Sequence, residues 1–300
     1  VFNLRRTAPL VFMIEIRELR LSYGARTVFD NVSAVINKGD RIGLVGSNGA
    51  GKTTLLKILA GAESPDSGSI LKPKYATIGY LPQELVVSAQ RPLFEEAESA
   101  FESILELREK LAQADEVIRT ASPSSAECAA ALLEMGEIRH RLEDAEESKL
   151  RSRVETVLMG LGFKMADMAR PCSEFSGGWQ MRVALAKLLL TEPTLLMLDE
   201  PTNHLDIESV AWLEDYLKSY PGSILVVSHD RAFLNALTNR TFHLSKGRLD
   251  SYSGNYDFFE AESAARRRTL EHTAENQRRS IEKTEKFIER FRYKSSKAAQ

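Results

Sequence analysis

A glycine-rich stretch near residue 50 reads Gly46-Ser47-Asn48-Gly49-Ala50-Gly51-Lys52-Thr53-Thr54. It follows the apolar run 42–45 and precedes a segment with helical spacing, 53–59. This stretch satisfies the pattern G-x-x-x-x-G-K-[ST], which requires a strand before it and a helix after it. Its glycines let backbone N–H groups converge on phosphate oxygens, and the following helix N-terminus adds partial positive charge. The sequence therefore predicts a phosphate-binding loop, with each of residues 46–54 a candidate nucleotide contact.

Two side chains of this loop have the chemistry of a nucleoside triphosphate site. Lys52 would place its ammonium between the β- and γ-phosphates, and Thr53 would offer its hydroxyl to Mg²⁺. ATP with Mg²⁺ is therefore the expected ligand.

An acidic pair follows a second apolar strand, 195–198. Ligands of open α/β sheets bind at the carboxyl ends of strands, so Asp199 is placed to hold Mg²⁺ through its water shell. Glu200 is placed to polarise the attacking water as a general base. Without the loop at 46–54, such a pair would be equally well explained as ordinary surface.

A Ser-Gly-Gly turn, Ser176-Gly177-Gly178, directly opens an amphipathic helix predicted at Gly178–Leu190. A helix N-terminus of this kind binds anions. Taken alone, the same three residues are equally typical of a simple turn.

Apolar periodicity places further elements around these motifs. Alternation with period two predicts strands, and spacings of three and four predict helices. We predict strands at 14–21, 28–36, 76–81, 224–227, 241–244 and 248–252, and helices at 207–218 and from Asn255 onward. The alternation of strands and helices indicates an α/β fold.

Between about 91 and 150 the strand signals vanish and charged residues alternate with apolar ones. Two helical faces, the first including Ala97 and Phe101, flank a break at Thr120 to Ser125 and predict an antiparallel helical hairpin. This segment carries 15 acidic and 7 basic residues, a local charge of −8. Most of these charges are explained by a solvated helix pair.

Composition excludes several classes of protein. Lys and Arg number 40 against 42 Asp and Glu, so the whole chain is not a generally basic nucleic-acid binder. The longest apolar run, Ala8 to Ile14, has seven residues, whereas a membrane helix needs about 18. Cys128 and Cys172, the two cysteines, suggest neither a disulfide scaffold nor a zinc site, so a cytoplasmic location is expected.

The two ends of the sequence carry weaker signals. Arg5-Arg6 before the apolar run superficially resembles a signal peptide, but that run is too short. We expect Met13 to be the natural start and residues 1–12 to be an upstream extension. Residues 278–300 carry eight basic and three acidic residues in a helical pattern without a terminal cap, so we expect that helix to continue beyond Gln300.

The order of these motifs resembles the ATP-binding cassette family. The residues that carry the resemblance are Tyr23, the loop at 46–54, Gln83, Phe175-Ser176-Gly177-Gly178-Trp179-Gln180, Leu195 to Glu200, Asn203-His204-Leu205-Asp206 and His229. The resemblance implies a P-loop cassette over 13–260. Such a cassette has an N-terminal antiparallel β subdomain, a helical subdomain and here also a hairpin insert and a long C-terminal helix.

The resemblance also implies roles for single residues. Tyr23 would stack on adenine, although a core tyrosine at a strand edge is the alternative. Gln83 would touch Mg²⁺ and the attacking water, and His229 would bond the γ-phosphate. Ser176, Gly177 and Gly178 would close over ATP bound to a partner cassette. Complete sites would therefore need a second cassette, from a second copy or from sequence beyond Gln300.

Three features resemble the ABC-F family, whose members are twin-cassette proteins that act on the ribosome. Ser176 follows Gln83 by 93 positions, the segment after Asp199 reads Glu-Pro-Thr-Asn-His-Leu-Asp, and a basic helix follows the last strands. The insert at 91–150 would be the family's arm, and 261–300 would begin its interdomain linker. Arg290, Arg292, Tyr293 and Lys294 would then contact rRNA or tRNA.

Some features leave other interpretations open. Trp179 stands where transport signatures usually have Gln, and the acidic arm suits a basic ribosomal protein better than RNA. A solvated face would equally explain the basic helix. The ATPase subunit of a membrane transporter and a DNA-maintenance ATPase remain the alternative functions.

Overall fold

A computed structural model describes residues 13–83, 90–120, 125–144 and 147–298. The expected upstream extension, 1–12, lies outside the described residues. The strands are β1 (Met13–Tyr23), β2 (Arg26–Asn37), β3 (Arg41–Val45), β4 (Ser67–Leu71), β5 (Ile78–Leu81), β6 (Leu195–Asp199), β7 (Ser223–Val227), β8 (Arg240–Ser245) and β9 (Arg248–Tyr252). The helices are α1 (Lys52–Ala60), α2 (Leu93–Glu98), α3 (Glu102–Thr120), α4 (Ala126–Asp144), α5 (Glu147–Gly160), α6 (Gly177–Leu190), α7 (Ile207–Lys218), α8 (Arg231–Leu237) and α9 (Tyr256–Ala298).

The strands form two sheets. A three-stranded antiparallel sheet has the order β2-β1-β4, and a six-stranded sheet has the order β5-β6-β7-β3-β8-β9. All neighbours in the larger sheet are parallel except β8 and β9, which form an antiparallel pair. This arrangement confirms the predicted α/β cassette with an antiparallel β subdomain.

Alternation along the central strands divides the core into two layers. In β6, Leu195 and Met197 face one apolar cluster, while Leu196 and Leu198 face the other. The first cluster joins the larger sheet to α1 and the β subdomain. The second joins it to the helices that follow β5, including α5 and α6. Both faces are covered because a parallel sheet must bury both of them.

The helical insert divides into a rooted part and a hairpin. Helices α3 and α4 pack mainly against each other. Ala97 and Phe101, which the spacing assigned to the hairpin face, instead belong to the main core, with exposed fractions of 0% and 8%. Ala97 packs there because α2 lies against α5 and α6, and Phe101 because the 3-10 turn Ser99–Phe101 after α2 also contacts α6.

Local capping sets several helix ends. Asp206 accepts a hydrogen bond from the Ser209 backbone N–H (2.9 Å), which fixes the start of α7 at the predicted residue. Asn255 accepts one from Phe258 (3.1 Å), so α9 begins one residue later than predicted. With 43 residues, α9 is about 65 Å long.

Three elements were not predicted: β4, α5 and α8. The β4 sequence Ser-Gly-Ser-Ile-Leu has little apolar alternation and lies at the edge of its sheet. None of the helices in the described parts of the chain has the length and apolarity needed to span a bilayer.

Candidate nucleotide-binding site

A pocket of about 480 Å³ opens at the carboxyl ends of the parallel strands. It brings together predicted residues that lie far apart in sequence. Its lining comprises Tyr23, Arg26, Val28, Asn48, Gly49, Gly51, Lys52, Thr53, Thr54, Gln83, Asp199, Glu200, Asn203, Val227 and His229. Gly46, Ser47 and Ala50 belong to the same loop, whereas Ser176, Gly177 and Gly178 do not line this pocket.

The loop between β3 and α1 needs glycine at its two ends. A Cβ atom at Gly46 would lie 2.4 Å from the Leu244 carbonyl oxygen, which no side chain can tolerate. Gly51 has φ of +104°, a left-handed conformation that disfavours other residues. Lys52 follows Gly51 as the first residue of α1, and its Nζ donates to the carbonyl oxygens of Gly46 (2.9 Å) and Ser47 (3.3 Å). The ammonium therefore lies against the phosphate-binding loop.

Oxygen ligands suited to Mg²⁺ meet beneath this loop. The Thr53 hydroxyl donates to Asp199 Oδ2 at 2.7 Å, although the two residues are 146 positions apart. Asp199 ends the fully buried strand β6 and is itself 3% exposed. The Gln83 side chain lines the same pocket. A hydroxyl, a carboxylate and an amide oxygen are hard ligands, so this donor set fits Mg²⁺.

Glu200 is buried in an unusual backbone conformation. Its φ is +54°, in the left-handed region, and its side chain is 6% exposed. One carboxylate oxygen, Oε2, accepts a hydrogen bond from the His229 backbone N–H (3.1 Å). The other, Oε1, has no hydrogen-bond partner among the described residues and lies 3.5 Å from His229 Nε2. Burial raises the pKa of Glu200, partly offset by the bond from His229. A buried carboxylate with a free oxygen can accept a proton from water.

The opposite end of the pocket is built around Tyr23. Its ring is 53% exposed, and its hydroxyl donates to Glu63, which follows α1. Arg26 donates to the Gly49 carbonyl oxygen at 2.6 Å and so ties β2 to the phosphate-binding loop. Arg26, Glu63 and Asn203 were not among the predicted site residues. Asn203 lay within a quoted motif, but no local pattern marks Arg26 or Glu63.

The Ser-Gly-Gly turn lies on another surface. Ser176 and Gly177 are exposed at the start of α6, and a Cβ atom at Gly178 would approach His204 Nδ1 to 3.4 Å. Further along α6, the buried Arg182 donates to the His204 carbonyl oxygen (2.8 Å) and to Asp206 Oδ2 (3.0 Å). This contact fixes the turn relative to the segment that follows Glu200.

The capping bond from Ser209 and the contact with Arg182 lower the pKa of Asp206 to about 2. The carboxylate of Asp206 is therefore charged at all ordinary pH values.

The four candidate RNA-binding residues, Arg290, Arg292, Tyr293 and Lys294, fall within α9. Their RNA contacts stay a prediction.

Comparison with known proteins agrees with this geometry. Residues 29–203 match a family described as ABC transporter, and 242–300 match a second family with the same description. The chain is 36% identical over 288 residues to YheS of Escherichia coli K12, covering 96% of this chain and 43% of that protein. It is 37% identical over 290 residues to human ATP-binding cassette sub-family F member 3, covering 96% and 39%.

Solved structures show the same fold. An ATP-binding subunit of an ABC transporter superposes with a TM-score of 0.62 at 21% identity, covering 84% of this chain and 93% of the other. A dimeric ATP-binding cassette bound to ADP and Pi gives a TM-score of 0.56 at 20% identity, covering 80% and 98%. The chain spans about two fifths of the length of its curated relatives. It belongs to the ABC-F branch of the ATP-binding cassette family.

Proposed function

We propose that this chain is the ATP-hydrolysing cassette of a ribosome-associated translation factor. One observation carries the hydrolytic part of this proposal. Glu200, whose buried Oε1 has no hydrogen-bond partner among the described residues, lines the same pocket as Lys52, Thr53 and Asp199. A proton acceptor thus lies beside the groups that bind phosphate and metal, as hydrolysis of a phosphoanhydride requires.

Each group of pocket residues has a separate role in ATP binding and hydrolysis. The backbone of the loop at 46–54 and Lys52 bind the phosphates, and Tyr23 stacks on the base. Thr53, Asp199 and Gln83 hold Mg²⁺, which neutralises phosphate charge when bound. Glu200 takes the proton of the attacking water, and His229 hydrogen-bonds the γ-phosphate.

The exposed Ser-Gly-Gly turn supports a requirement for a second cassette. Ser176 and Gly177 lie outside the pocket of their own cassette, at the exposed N-terminus of a 14-residue helix whose N-cap side chain makes no capping hydrogen bond. Such an end suits a phosphate supplied from outside. A second cassette, from another copy or from further sequence, would place its ATP there and complete both sites.

Charge asymmetry supports a ribosomal partner. The acidic segment 91–150 suits a basic ribosomal protein, whereas the basic end of α9 suits RNA phosphates. ATP binding would close two cassettes and fix the direction of α9, and hydrolysis would release it. The cytoplasm is where such a factor would act.

Sedimentation with ribosomes tests this proposal. The Glu200→Gln variant should bind ATP without hydrolysing it, so the closed state should accumulate. We expect it to sediment with ribosomes only when ATP is present, with affinity that falls as salt rises. Lys52→Ala is the control, because it weakens ATP binding and should abolish the association. ATP binding without ribosome association would contradict the ribosomal role and leave the ATPase role standing; retention on DNA or membranes would instead favour the alternative functions.

A further inference from the structure

Two buried side-chain atoms lack a hydrogen-bond partner among the residues that the structure describes: Glu200 Oε1 and the Tyr80 hydroxyl oxygen. Native proteins satisfy nearly all buried polar groups, so each exception needs an explanation. The proposed role of Glu200 as general base accounts for its unpartnered oxygen. Tyr80 has no role in that mechanism, although it lies on the strand beside Asp199.

Strand register places Tyr80 on the same face of the sheet as Asp199. Tyr80 is the partner of Met197 in the parallel pair β5–β6, so both side chains point to one face. Asp199 lies two residues beyond Met197 and therefore points to that face as well. This face packs against α1, which supplies Thr53 to Asp199. The Tyr80 ring packs against the same apolar cluster as Met197.

The Tyr80 hydroxyl is a hydrogen-bond donor without an acceptor in the part of the chain that the structure describes. Phenylalanine would fill the same apolar space without burying an unsatisfied polar group. Burial, followed by the negative charge of Asp199, raises the pKa of Tyr80 to about 12. The phenol thus keeps its proton at working pH. Thr53 bonds only Oδ2 of Asp199, so the carboxylate can accept further hydrogen bonds.

We propose that Tyr80 is a positioning residue for Asp199 when Mg²⁺ and ATP are bound. Its hydroxyl then donates toward the Asp199 carboxylate and holds it in the orientation that supports the metal. This inference rests on the proposed Mg²⁺–ATP site and adds a residue to it. Tyr80 of β5 also lies three residues before Gln83. The segment from β5 to Gln83 would therefore support two groups around the metal, Asp199 and Gln83.

Removal of the hydroxyl alone tests this role. In Tyr80→Phe, we expect the nucleotide-free protein to unfold at the same or a higher denaturant concentration, because no native bond is lost. With ATP present, we expect Mn²⁺, used in place of Mg²⁺ and counted by paramagnetic resonance, to bind about 3- to 10-fold more weakly, as loss of one hydrogen bond predicts. The Mg²⁺ concentration for half-maximal hydrolysis should rise by the same factor.

Tyr220→Phe is the matched control. The Tyr220 hydroxyl donates to the Pro193 carbonyl oxygen at 2.6 Å, away from the pocket. This variant should lower the denaturant midpoint and leave Mn²⁺ binding unchanged. The reverse pattern is expected of Tyr80→Phe.

Two results would overturn the Tyr80 role while leaving the ATPase proposal intact. One is unchanged Mn²⁺ affinity in Tyr80→Phe, which would reduce Tyr80 to a ring that fills space. The other is a loss of nucleotide-free stability as large as that of Tyr220→Phe, which would mean that the hydroxyl already has a native partner. Failure of the unaltered chain to bind Mn²⁺ with ATP would overturn both proposals.

Discussion

Glu200 combines two features that are unfavourable for folding. Its positive φ, unusual for a non-glycine residue, costs about 1–3 kcal/mol. Its carboxylate is buried, and one oxygen has no partner among the residues described by the structure. The backbone conformation and the burial of the side chain together hold the Glu200 carboxylate at the pocket that also contains Lys52. Such costs are typical of active sites, where chemistry rather than stability selects the conformation.

We predict that Glu200→Gln separates hydrolysis from stability. Loss of a general base should lower the hydrolysis rate by about 10²- to 10⁴-fold. Burial raises the pKa of Glu200 above its ordinary value of 4.5, so the folded state holds the proton more tightly than the unfolded state. The wild-type free energy of unfolding should therefore fall as pH rises from 4.5 through the folded-state pKa. The neutral amide of Glu200→Gln does not titrate, so the variant does not lose stability in this way. Denaturant titrations at several pH values would measure how the free energies of unfolding of variant and wild type diverge as pH rises.

Glu137→Gln is the control for this pH effect. Glu137 is an exposed residue of α4, so its substitution removes the same charge from a position in contact with water. Its stability should follow the wild-type protein across the same pH range. If Glu200→Gln also followed wild type, the carboxylate would be better solvated than its burial indicates.

Sequence alone predicted those residues of the candidate site whose chemistry is tied to local spacing, and the structure brings them to one pocket. Lys52 and Thr53 are fixed by the loop motif, and Asp199 by its position after an apolar strand. Glu63 and Tyr80 could not be found, because their contacts depend on how distant strands and loops meet. The positive φ of Glu200 was equally invisible, since no residue type there demands it.

At the scale of elements, the root of the insert is tied to the segment before the Ser-Gly-Gly turn. Backbone bonds join Leu93 to Arg170 (2.9 Å), Phe94 to Met168 (3.0 Å) and Cys172 to Arg91 (3.0 Å). An ion pair between Glu96 of α2 and Lys187 of α6 adds to them. Movement of the insert would therefore also move the Ser-Gly-Gly turn at 176–178.

We predict that Lys187→Met lowers the free energy of unfolding by about 1–3 kcal/mol. The Glu96 side chain is 8% exposed, so the substitution leaves a buried carboxylate without its cation. The double variant Glu96→Leu/Lys187→Met should recover most of the loss, because apolar pairs replace buried ion pairs at little cost. Denaturant unfolding of the two variants would measure this. Equal losses would show that packing, rather than the unpaired charge, dominates.

The insert also shows what periodicity cannot specify. Spacings of three and four placed Ala97 and Phe101 on one helical face. A helix of a hairpin and a helix that packs in the core show the same spacing. Which surface the face meets is decided by α5 and α6, whose positions depend on the whole fold. The Ser and Pro residues of the predicted break at Thr120 to Ser125 are typical of a helix interruption. Helix α3 ends at Thr120 and α4 begins at Ala126, while 121–124 lie outside the described residues.

At the scale of the whole molecule, α3 and α4 form a projection from the cassette. They pack mainly on each other and join the rest of the chain through the segments next to α2 and α5. Among the exposed glutamates along them are Glu109, Glu116, Glu134 and Glu137. Leu133, 75% exposed, lies on α4 between them. A surface of this kind adds little to the stability of the cassette and is available to a partner.

We predict that residues 105–142 can be replaced by a Gly-Ser linker of about four residues with the cassette still folded. Packed helices lie about 8–10 Å apart, a distance that four residues can span. ATP binding and the denaturant midpoint should stay close to wild type, because both apolar clusters of the cassette remain largely intact. In the Glu200→Gln background, however, ATP-dependent sedimentation with ribosomes should weaken at least tenfold.

The charge dependence of that loss distinguishes a docking surface from a spacer. Substituting Glu109, Glu116, Glu134 and Glu137 by Gln keeps both helices but removes four negative charges. If the hairpin contacts a basic ribosomal protein, this variant should weaken ribosome association and reduce its salt dependence, since fewer ion pairs form. Unchanged affinity in both variants would contradict a role for the hairpin in binding. Unchanged affinity in the glutamate variant alone would assign the contact to shape and to apolar residues such as Leu133.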